Sequence, residues 1–254
     1  MSFVFECTAL MGTNKVGDLH PDKDGYRELI LGGLAAKNRH GDHYDHSEAM
    51  QLFSQSGALM RRIKEGNCRG EHKHPEWLKG WTAAEFCRRL CRLDESAISH
   101  HISSLWLDWD VVKDKDGNKI CAIMGKVIPS GVGYEYLERQ FANPKENVSF
   151  SIRALSQDTP KNGRYNRVLK HVETFDNVHE DGMGFTSKYH APALESLSKV
   201  TFDEQVLHEL ADPANYSGAA LESNDHVREV ASTILLESNY TGRTTVQVPA
   251  SYRW

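Results

Sequence analysis

Apolar positions along the chain alternate with polar ones in several segments, which is the pattern of half-buried β-strands. Residues 2–10 alternate and are rich in Phe and Val, so they predict an opening strand. An Asp-Gly pair at 116–117 predicts a hairpin between two later strands, and an Asn-Gly pair at 162–163 predicts a further turn. The remaining strands are predicted over residues 97–109, 119–128, 148–155 and 165–178.

Other segments carry apolar residues at helical spacing. In the segment 82–93, Thr82 is a suitable N-cap residue, and Glu85 three positions later completes a capping box. This segment therefore predicts a helix with a defined start. Helices are further predicted over residues 26–37, 47–63, 134–141, 203–210 and 226–236.

This mixture of elements defines the predicted fold class. Strands joined by hairpins, with helices between them, predict an α+β domain built on an antiparallel sheet. A chain of 254 residues is long enough for one domain with a buried core plus an appendage. From about residue 191 the sequence becomes rich in Ala, Ser, Glu and Asn, so we predict a main domain over residues 1–190 and a C-terminal helical appendage over residues 191–254.

Composition and charge narrow the class of protein. Hydrophobic residues make up 39% and charged residues 26% of the chain, as in an ordinary globular protein. The net charge is -5, and no block of Lys or Arg is long enough to indicate nucleic-acid binding. No segment approaches the ~20 apolar residues of a membrane-spanning helix, and the N-terminus lacks the features of a signal peptide. Five scattered cysteines without a Cys-x-x-Cys pair indicate a reducing compartment, so we expect a cytoplasmic protein.

Three histidines in a Gly-containing loop invite a metal interpretation, because histidine is a ligand of first-row metals. His40, His43 and His46 lie three residues apart. This spacing matches no compact metal-site pattern, since true sites combine defined spacing with supporting hydrogen bonds. We therefore interpret the segment as a hydrated surface loop and predict no metal and no cofactor, with a metallohydrolase as the alternative.

Another set of residues has the chemistry of a dispersed serine-protease site. A serine hydroxyl needs an imidazole to take its proton, and the imidazole needs an orienting partner. His74 precedes Pro75, which favours extended backbone at the histidine and so holds a base on a loop or strand end. Ser149 and Ser151 lie on one face of the predicted strand 148–155, and alternation does not choose between them as the nucleophile.

Candidates for the stabilising and orienting groups lie on the predicted strands 148–155 and 165–178. Arg153 projects to the face of the two serines, where its guanidinium or the nearby backbone amides could stabilise an oxyanion. Asp176, near the end of the second strand, could orient the imidazole and stabilise its charged form. His171 and Glu173 compete with it for this role, and they share the opposite face of the same strand.

Three segments in this order resemble the prohead core proteases of large tailed bacteriophages, which share the assemblin-like fold of herpesvirus capsid maturation proteases. The segment 70–75, Gly-Glu-His-Lys-His-Pro, resembles the family's Gly-Glu-x-x-His-Pro element. The segment 148–154, Val-Ser-Phe-Ser-Ile-Arg-Ala, resembles its Gly-Val-Ser-Ser-Arg-Gly segment. The segment 175–178, Phe-Asp-Asn-Val, resembles its Val-Asp-x-Val strand. The resemblance covers about residues 8–185.

The resemblance implies a role for each matching residue. The catalytic histidine of the family falls on His74, the nucleophile on Ser151 and the orienting carboxylate on Asp176. Backbone amides near Ile152 and Arg153 are then expected to hold the oxyanion. The implied fold is an assemblin-like core, an antiparallel β-sheet or barrel flanked by helices, so residues 1–190 become the expected protease domain.

In activity, the resemblance implies a serine endopeptidase of prohead maturation that works inside the immature phage capsid in the host cytoplasm. Its expected substrates are phage scaffold and capsid proteins, cleaved after glutamate. Nucleic acid and membranes are not expected as partners, and association of several copies of the chain is allowed. The alternative is a non-catalytic phage structural protein of related fold, tail-tube-like or scaffold-associated, which departures from the family pattern at Ser149 and Ala154 favour.

The C-terminal segment contains a repeated tetrapeptide, Leu-Glu-Ser-Asn, at 221–224 and 236–239. Because the resemblance implies cleavage after glutamate, we predict self-processing after Glu222 or Glu237, which would remove part of the appendage. The alternative is a chance repeat, since short repeats of common helix residues often carry no function.

Overall fold

The structure is a computed structural model that describes residues 2–6, 8–12, 21–37, 41–54, 57–114, 116–143, 145–161, 163–179, 199–216 and 224–241. Side chains are described from residue 21 on, except within 199–203 and 237–241. The strands are β1 (Ser2–Glu6), β2 (Thr8–Gly12), β3 (Arg27–Leu34), β4 (Ala36–Lys37), β5 (His43–Tyr44), β6 (Arg69–Glu71), β7 (Ile98–Lys113), β8 (Lys119–Pro129), β9 (Ser149–Lys161), β10 (Arg164–Val178) and β11 (Lys199–Asp203).

The helices lie between and after the strands. None of those in the described ranges is long and apolar enough to cross a membrane. They are α1 (Ala49–Leu52), α2 (Ala58–Lys64), α3 (Ala83–Leu90), α4 (Tyr134–Ala142), α5 (Glu204–Ala211) and α6 (Asp225–Thr241), with short 3₁₀ turns at Glu95–Ala97 and Pro213–Asn215.

The strands form two sheets. The larger sheet runs in the order β11-β1-β9-β10-β5-β4, with β2 also paired to β9, and the smaller one runs β3-β8-β7-β6. Every strand pair in these sheets is antiparallel except that of β5 with β10. The predicted α+β class with an antiparallel core is therefore confirmed. In the described residues both sheets are open paths of strands, so the core is a pair of sheets.

Local sequence signals place the long hairpins and α3 where they were predicted. Gly117 and Gly163 take φ values of 84° and 75° in the turns between β7 and β8 and between β9 and β10, which glycine adopts without a steric penalty. At the start of α3, the Thr82 side chain accepts from the Glu85 amide and the Glu85 carboxylate accepts from the Thr82 amide. The predicted capping box is thus confirmed.

The predicted helix over residues 26–37 is wrong, because this segment forms β3 and β4. Its apolar run is buried on both faces: Leu29 and Leu31 pack into the core between the sheets, and Ile30 packs into a separate cluster on the other side. A strand covered on both faces shows a continuous apolar run, which periodicity does not separate from a buried helix. Ala35, with φ of 55°, turns the chain from one sheet into the other.

The predicted helix over residues 47–63 is divided into α1 and α2. Gly57 immediately precedes α2, and a Cβ atom added there would lie 2.8 Å from the Leu52 carbonyl oxygen. The glycine therefore permits a close approach of the chain between the two short helices, which a continuous helix would not need.

The C-terminal segment packs against the rest of the chain. β11 pairs with β1 along its whole length, and α5 and α6 form a second apolar core together with α3. Leu155 of β9 belongs to this second core as well. In the described residues, the predicted appendage therefore covers apolar side chains of the predicted protease domain, and the division at residue 190 stays a prediction.

Candidate active site

The predicted nucleophile and the predicted orienting carboxylate meet through sheet pairing. β9 and β10 are antiparallel neighbours, and their register places Ser151 directly opposite Asp176. Residues directly opposite one another project to the same face of a sheet, with Cβ atoms about 5 Å apart. Ser151 and Asp176 are separated by 24 residues in the sequence, and the register of the long β9–β10 hairpin makes them neighbours.

His74 reaches the same place from the loop after β6. Its Nδ1 lies 2.8 Å from Oδ2 of Asp176, and its side chain is 15% exposed. The loop is fastened to β10, since the Lys73 amide donates to the Asn177 carbonyl at 2.8 Å and His72 forms a bridge with Asn177. The structure therefore places His74 in contact with Asp176 and Ser151 opposite Asp176, while His74 Nε2 and Ser151 Oγ are not hydrogen-bonded to each other.

Steric crowding explains why the Gly-Glu-x-x-His-Pro segment begins with glycine. A Cβ atom on Gly70 would lie 2.2 Å from the Phe175 carbonyl oxygen and 2.4 Å from the His100 ring. The His100 ring is fully buried and its Nε2 lies 2.9 Å from that same carbonyl oxygen. Only glycine lets β6 approach β10 this closely, and this approach sets the position of His74 four residues later.

Two atoms of the constellation are buried without a hydrogen-bond partner among the described residues. They are Nε2 of His74 and Oγ of Ser151. Buried polar groups are almost always paired, so each of these two atoms has hydrogen-bonding capacity left for a further partner. Proton transfer from serine to histidine uses these two atoms.

The Asp176 carboxylate is held in its charged form. It is fully buried and accepts hydrogen bonds from the Glu71 amide at 3.0 Å and from two nitrogens of Arg153 at 2.8 Å each. Burial raises its pKa, but the Arg153 charge and the His74 hydrogen bond outweigh that effect and lower the pKa to about 2. A carboxylate that stays charged can orient the imidazole and stabilise its protonated form.

A charge network behind Asp176 was missed by the sequence reasoning. Glu71 is 1% exposed, and its carboxylate accepts from Arg153 at 2.9 Å and from Arg89 of α3 at 2.6 Å. It also accepts from the Asp94 amide at 2.6 Å. The position of the glutamate inside the Gly-Glu-x-x-His-Pro segment was the available signal. Its partners come from distant elements and left no local pattern.

The predicted oxyanion residues lie in the sheet next to Ser151. The Arg153 side chain is fully buried and its guanidinium binds Asp176 and Glu71 with all three nitrogens, so a role for this guanidinium at the oxyanion is corrected to one behind the carboxylate. Ile152 is paired with Phe175 on one side and with Thr8 on the other, and its side chain lies in the core. Stabilisation of the oxyanion by the backbone amides near Ile152 and Arg153 stays a prediction.

The other candidates take different positions. His171 and Glu173 contact each other and His226 of α6. In the loop of three histidines, His40 lies outside the described residues, His43 is in β5, and His46 packs edge-on against Trp109. In the described ranges, the group of metal-ligating side chains found is His171, Glu173 and His226.

The structure describes only one of the two predicted self-cleavage sites, and only its backbone. Glu222 lies outside the described residues. Glu237 is in the backbone of α6, and its side chain is among those left undescribed. Both therefore stay predictions.

Comparison with known proteins identifies a family of peptidases. The model of the Peptidase S80 family matches residues 5–233, so the chain belongs to the Peptidase S80 family. The capsid maturation protease of Pseudomonas phage phiKZ is 35% identical to it over 192 residues, which cover 74% of this chain and 69% of that protein. The bacteriophage T4 capsid assembly protease matches in structure with a TM-score of 0.45 and 16% identity, covering 70% of this chain and 98% of that one. The predicted membership of a phage prohead protease family is confirmed.

Proposed function

We propose that this protease is a serine endopeptidase with Ser151, His74 and Asp176 as its catalytic residues. The observation that carries the proposal is the 2.8 Å contact between Nδ1 of His74 and Oδ2 of Asp176, with Ser151 opposite Asp176 in the sheet register. The unpaired His74 Nε2 and Ser151 Oγ supply the other half of the arrangement.

In the proposed reaction, Ser151 Oγ attacks the scissile carbonyl carbon while His74 Nε2 takes the hydroxyl proton. The imidazolium that results keeps its Nδ1–H on Asp176, whose negative charge stabilises it. His74 then gives the proton to the leaving amine, which departs and leaves an ester on Ser151. Water, deprotonated by His74, hydrolyses this ester and restores the serine.

Arg153 and Glu71 have a positioning role in this proposal. The two hydrogen bonds from Arg153 fix both oxygens of Asp176, and the Glu71 amide adds a third bond to Oδ1. Glu71 in turn balances the Arg153 charge. Because these groups are rigidly paired in the core, the carboxylate needs little reorganisation when the imidazole becomes charged.

For substrates, the relative from phage phiKZ is named a capsid maturation protease. We propose the same role here: the chain acts inside the immature capsid in the host cytoplasm and cleaves scaffold and capsid proteins. Cleavage after glutamate is part of the proposal and rests on the family resemblance.

Self-processing after Glu222 or Glu237 also belongs to the proposal. A protease takes its substrate in extended form, which pairs with the backbone of the enzyme. Glu237 lies within α6, so cleavage there requires the end of this helix to unwind. Cleavage after Glu222 would separate α6 from the rest of the chain in sequence while its apolar contacts with α3 and α5 persist.

The non-catalytic alternative is supported by one observation: Ser151 is fully buried, so a peptide reaches it only after some part of the protein moves. The two functions differ in whether the serine is reactive. A fluorophosphonate probe, which forms a covalent bond with an activated serine, separates them without knowledge of the natural substrate.

The test uses the full chain and two variants. Wild-type protein and Ser149→Ala are expected to be labelled by the probe and to cut the cognate scaffold protein after glutamate, as read by mass spectrometry of the fragments. Ser151→Ala is expected to do neither, and its intact mass stays that of the full chain. Equal labelling of Ser151→Ala and wild type, or none in either with scaffold left intact, would contradict a Ser151 protease.

A further inference from the structure

Two histidines and a carboxylate converge between β10 and α6, away from the catalytic residues. Nε2 of His171 lies 3.0 Å and Nε2 of His226 2.9 Å from the same oxygen, Oε2 of Glu173. The three atoms all lie within 4.8 Å of one another. His171 and Glu173 are buried, while the side chain of His226 is 34% exposed. Three donor atoms that metals bind therefore meet at a point that a small ion can reach.

We propose that His171, Glu173 and His226 bind a zinc ion. Zinc binds imidazole nitrogen at about 2.0–2.1 Å and carboxylate oxygen at about 2.0–2.2 Å, and a tetrahedral arrangement of such bonds separates the ligand atoms by roughly 3.4 Å. The observed separations from Oε2 are 2.9 and 3.0 Å. Zinc geometry requires each imidazole to move outward from Oε2 by roughly half an ångström, and it requires the two histidine nitrogens, which lie within 4.8 Å of one another, to stand roughly 3.4 Å apart.

The local structure of β10 aims two of the ligands. Residues at i and i+2 of a strand project to the same face, which places His171 beside Glu173. The register of β10 against β9 shifts between Val172 and Thr174, so Glu173 sits at an irregularity in the strand. Such bulges redirect side chains and are frequent beside functional sites.

Arg62 prepares the carboxylate for this role. Its Nη1 lies 2.5 Å from Oε1 of Glu173 and its Nη2 lies 2.5 Å from the Glu173 carbonyl oxygen. Oε2 is thereby left to the two imidazoles. Carboxylates that bind metals are commonly held in this way by a hydrogen bond to the second oxygen, which fixes the ligand and keeps it ionised.

A cavity beside the ligands provides access. It has a volume of about 740 Å³, and its walls include His171 and His226 as well as the carboxylate residues Glu48 and Glu229. Zinc with three protein ligands keeps a fourth position for water or another oxygen donor. Lys170 also lines this cavity and pairs with Glu48 at 2.5 Å, so the negative charge that faces a bound ion comes mainly from Glu173 itself.

The consequence of this site concerns α6, because His226 is the second residue of that helix. A bound ion would fasten the C-terminal helix to β10 of the larger sheet. Ser151 and His74 take no part in the site, so the inference stands or falls separately from peptide hydrolysis.

The test measures zinc binding in the full chain carrying Ser151→Ala, which prevents self-processing. Metal content after dialysis and titration calorimetry are expected to give one zinc per chain. His171→Ala, Glu173→Gln and His226→Ala are each expected to lower the affinity at least tenfold, by about the factor seen when metal-site residues are disturbed. Cobalt in place of zinc is expected to give the visible absorption of a tetrahedral ion, which the three variants lose.

Two matched variants serve as controls. His208→Ala removes an exposed histidine of α5, and His43→Ala removes the histidine of β5. Both are expected to keep full zinc affinity. The three ligand variants lie on two different elements, so damage to one element does not explain a shared loss. Absence of bound zinc, or binding that survives all three ligand variants, or binding that His43→Ala abolishes would overturn the proposal.

Discussion

Asp176 and Glu173 are buried carboxylates three positions apart on β10, and each contacts histidine and arginine, yet the two surroundings differ in chemistry. At Asp176 the imidazole of His74 uses Nδ1, and its Nε2 has no hydrogen-bond partner among the described residues. At Glu173 two imidazoles direct Nε2 at one oxygen. The Asp176 site thus leaves one imidazole nitrogen for proton transfer, whereas the Glu173 site gathers two imidazoles at one oxygen, as ligands of a single ion would be gathered.

The two sites also differ in what holds them. Asp176 is bound by Arg153 from the neighbouring strand and by the Glu71 amide, so sheet pairing positions it. Glu173 receives His226 from α6, so its site depends on the docking of the C-terminal helix. Rigid strands suit a catalytic group, which must be held within a fraction of an ångström. A ligand from a separate helix suits a site that fastens two parts of the chain.

Exchanging each carboxylate for its amide gives the largest contrast. Asp176→Asn is expected to lower kcat by about 10⁴-fold, because the amide favours the wrong imidazole tautomer and does not stabilise the imidazolium. Glu173→Gln is expected to lower it by less than about tenfold, since among the described residues Glu173 makes no hydrogen bond to the three proposed catalytic residues. Steady-state kinetics on a glutamate-containing peptide measures both. Equal losses would show that the two carboxylates act as one unit.

The charge network behind Asp176 is expected to matter for stability as well as for catalysis. Glu71→Gln leaves Arg153 and Arg89 short of a buried partner and is expected to cost about 3–5 kcal/mol of unfolding free energy. Urea denaturation provides the measurement. Glu76→Gln, an exposed change on the loop after His74, is the matched control and is expected to stay within about 0.5 kcal/mol of wild type. A similar small effect for Glu71→Gln would mean that Asp176 alone holds Arg153.

The approach of β6 to β10 is tested at its glycine. Gly70→Ala forces a methyl group against the Phe175 carbonyl and the His100 ring, and is expected to cost about 1–3 kcal/mol by overpacking. Because His74 follows on the same segment, kcat is expected to fall more than KM changes. Gly33→Ala, whose Cβ would meet an Ile120 methyl group at 3.2 Å, is expected to cost less. Urea unfolding curves of the two variants show which substitution lowers the free energy of unfolding more.

The smallest expected effect is a dependence of stability on pH. The pKa of Asp176 is lowered from 3.8 to about 2 on folding, so its contribution is present above pH 4 and is lost as the pH falls towards 2. A depression of this size corresponds to about 2 kcal/mol. Unfolding free energies of wild type and Asp176→Asn are compared between pH 6 and pH 2. The wild-type protein is expected to lose more stability over this range, and parallel curves would contradict the assignment.

Several parts of this fold follow from local signals. The strands β7 to β10 lie where they were predicted, the turns at Gly117 and Gly163 carry their glycines, and the capping box at Thr82 starts α3. The segment over residues 26–37 forms β3 and β4 although its apolar pattern predicted a helix. Both faces of β3 are covered by other parts of the chain, so apolar residues occur on both faces and no alternation is visible. A local pattern describes one element without its neighbours. A strand that is covered on both faces lacks the polar face from which alternation is recognised.

The candidate catalytic residues were named from motifs, and the motif order also identified the family. The partners of these residues were not predictable in the same way. Arg153 was expected to serve an oxyanion, whereas its guanidinium lies between Asp176 and Glu71. Side-chain alternation gives the face to which a residue projects, but the neighbour across that face depends on register and on packing between sheets.

The sequence by itself determined the strand and turn pattern of the long hairpins, the start of α3, the Gly-Glu-x-x-His-Pro segment and the order of histidine, serine and aspartate. Only the tertiary structure decided which carboxylate contacts His74 and where Arg153 binds. It alone also decided that His226 of the C-terminal helix meets His171 and Glu173. The physical reason is that these contacts join residues 23 to 102 positions apart. Their geometry is set by strand register and by the packing of sheets and helices, which no local spacing encodes.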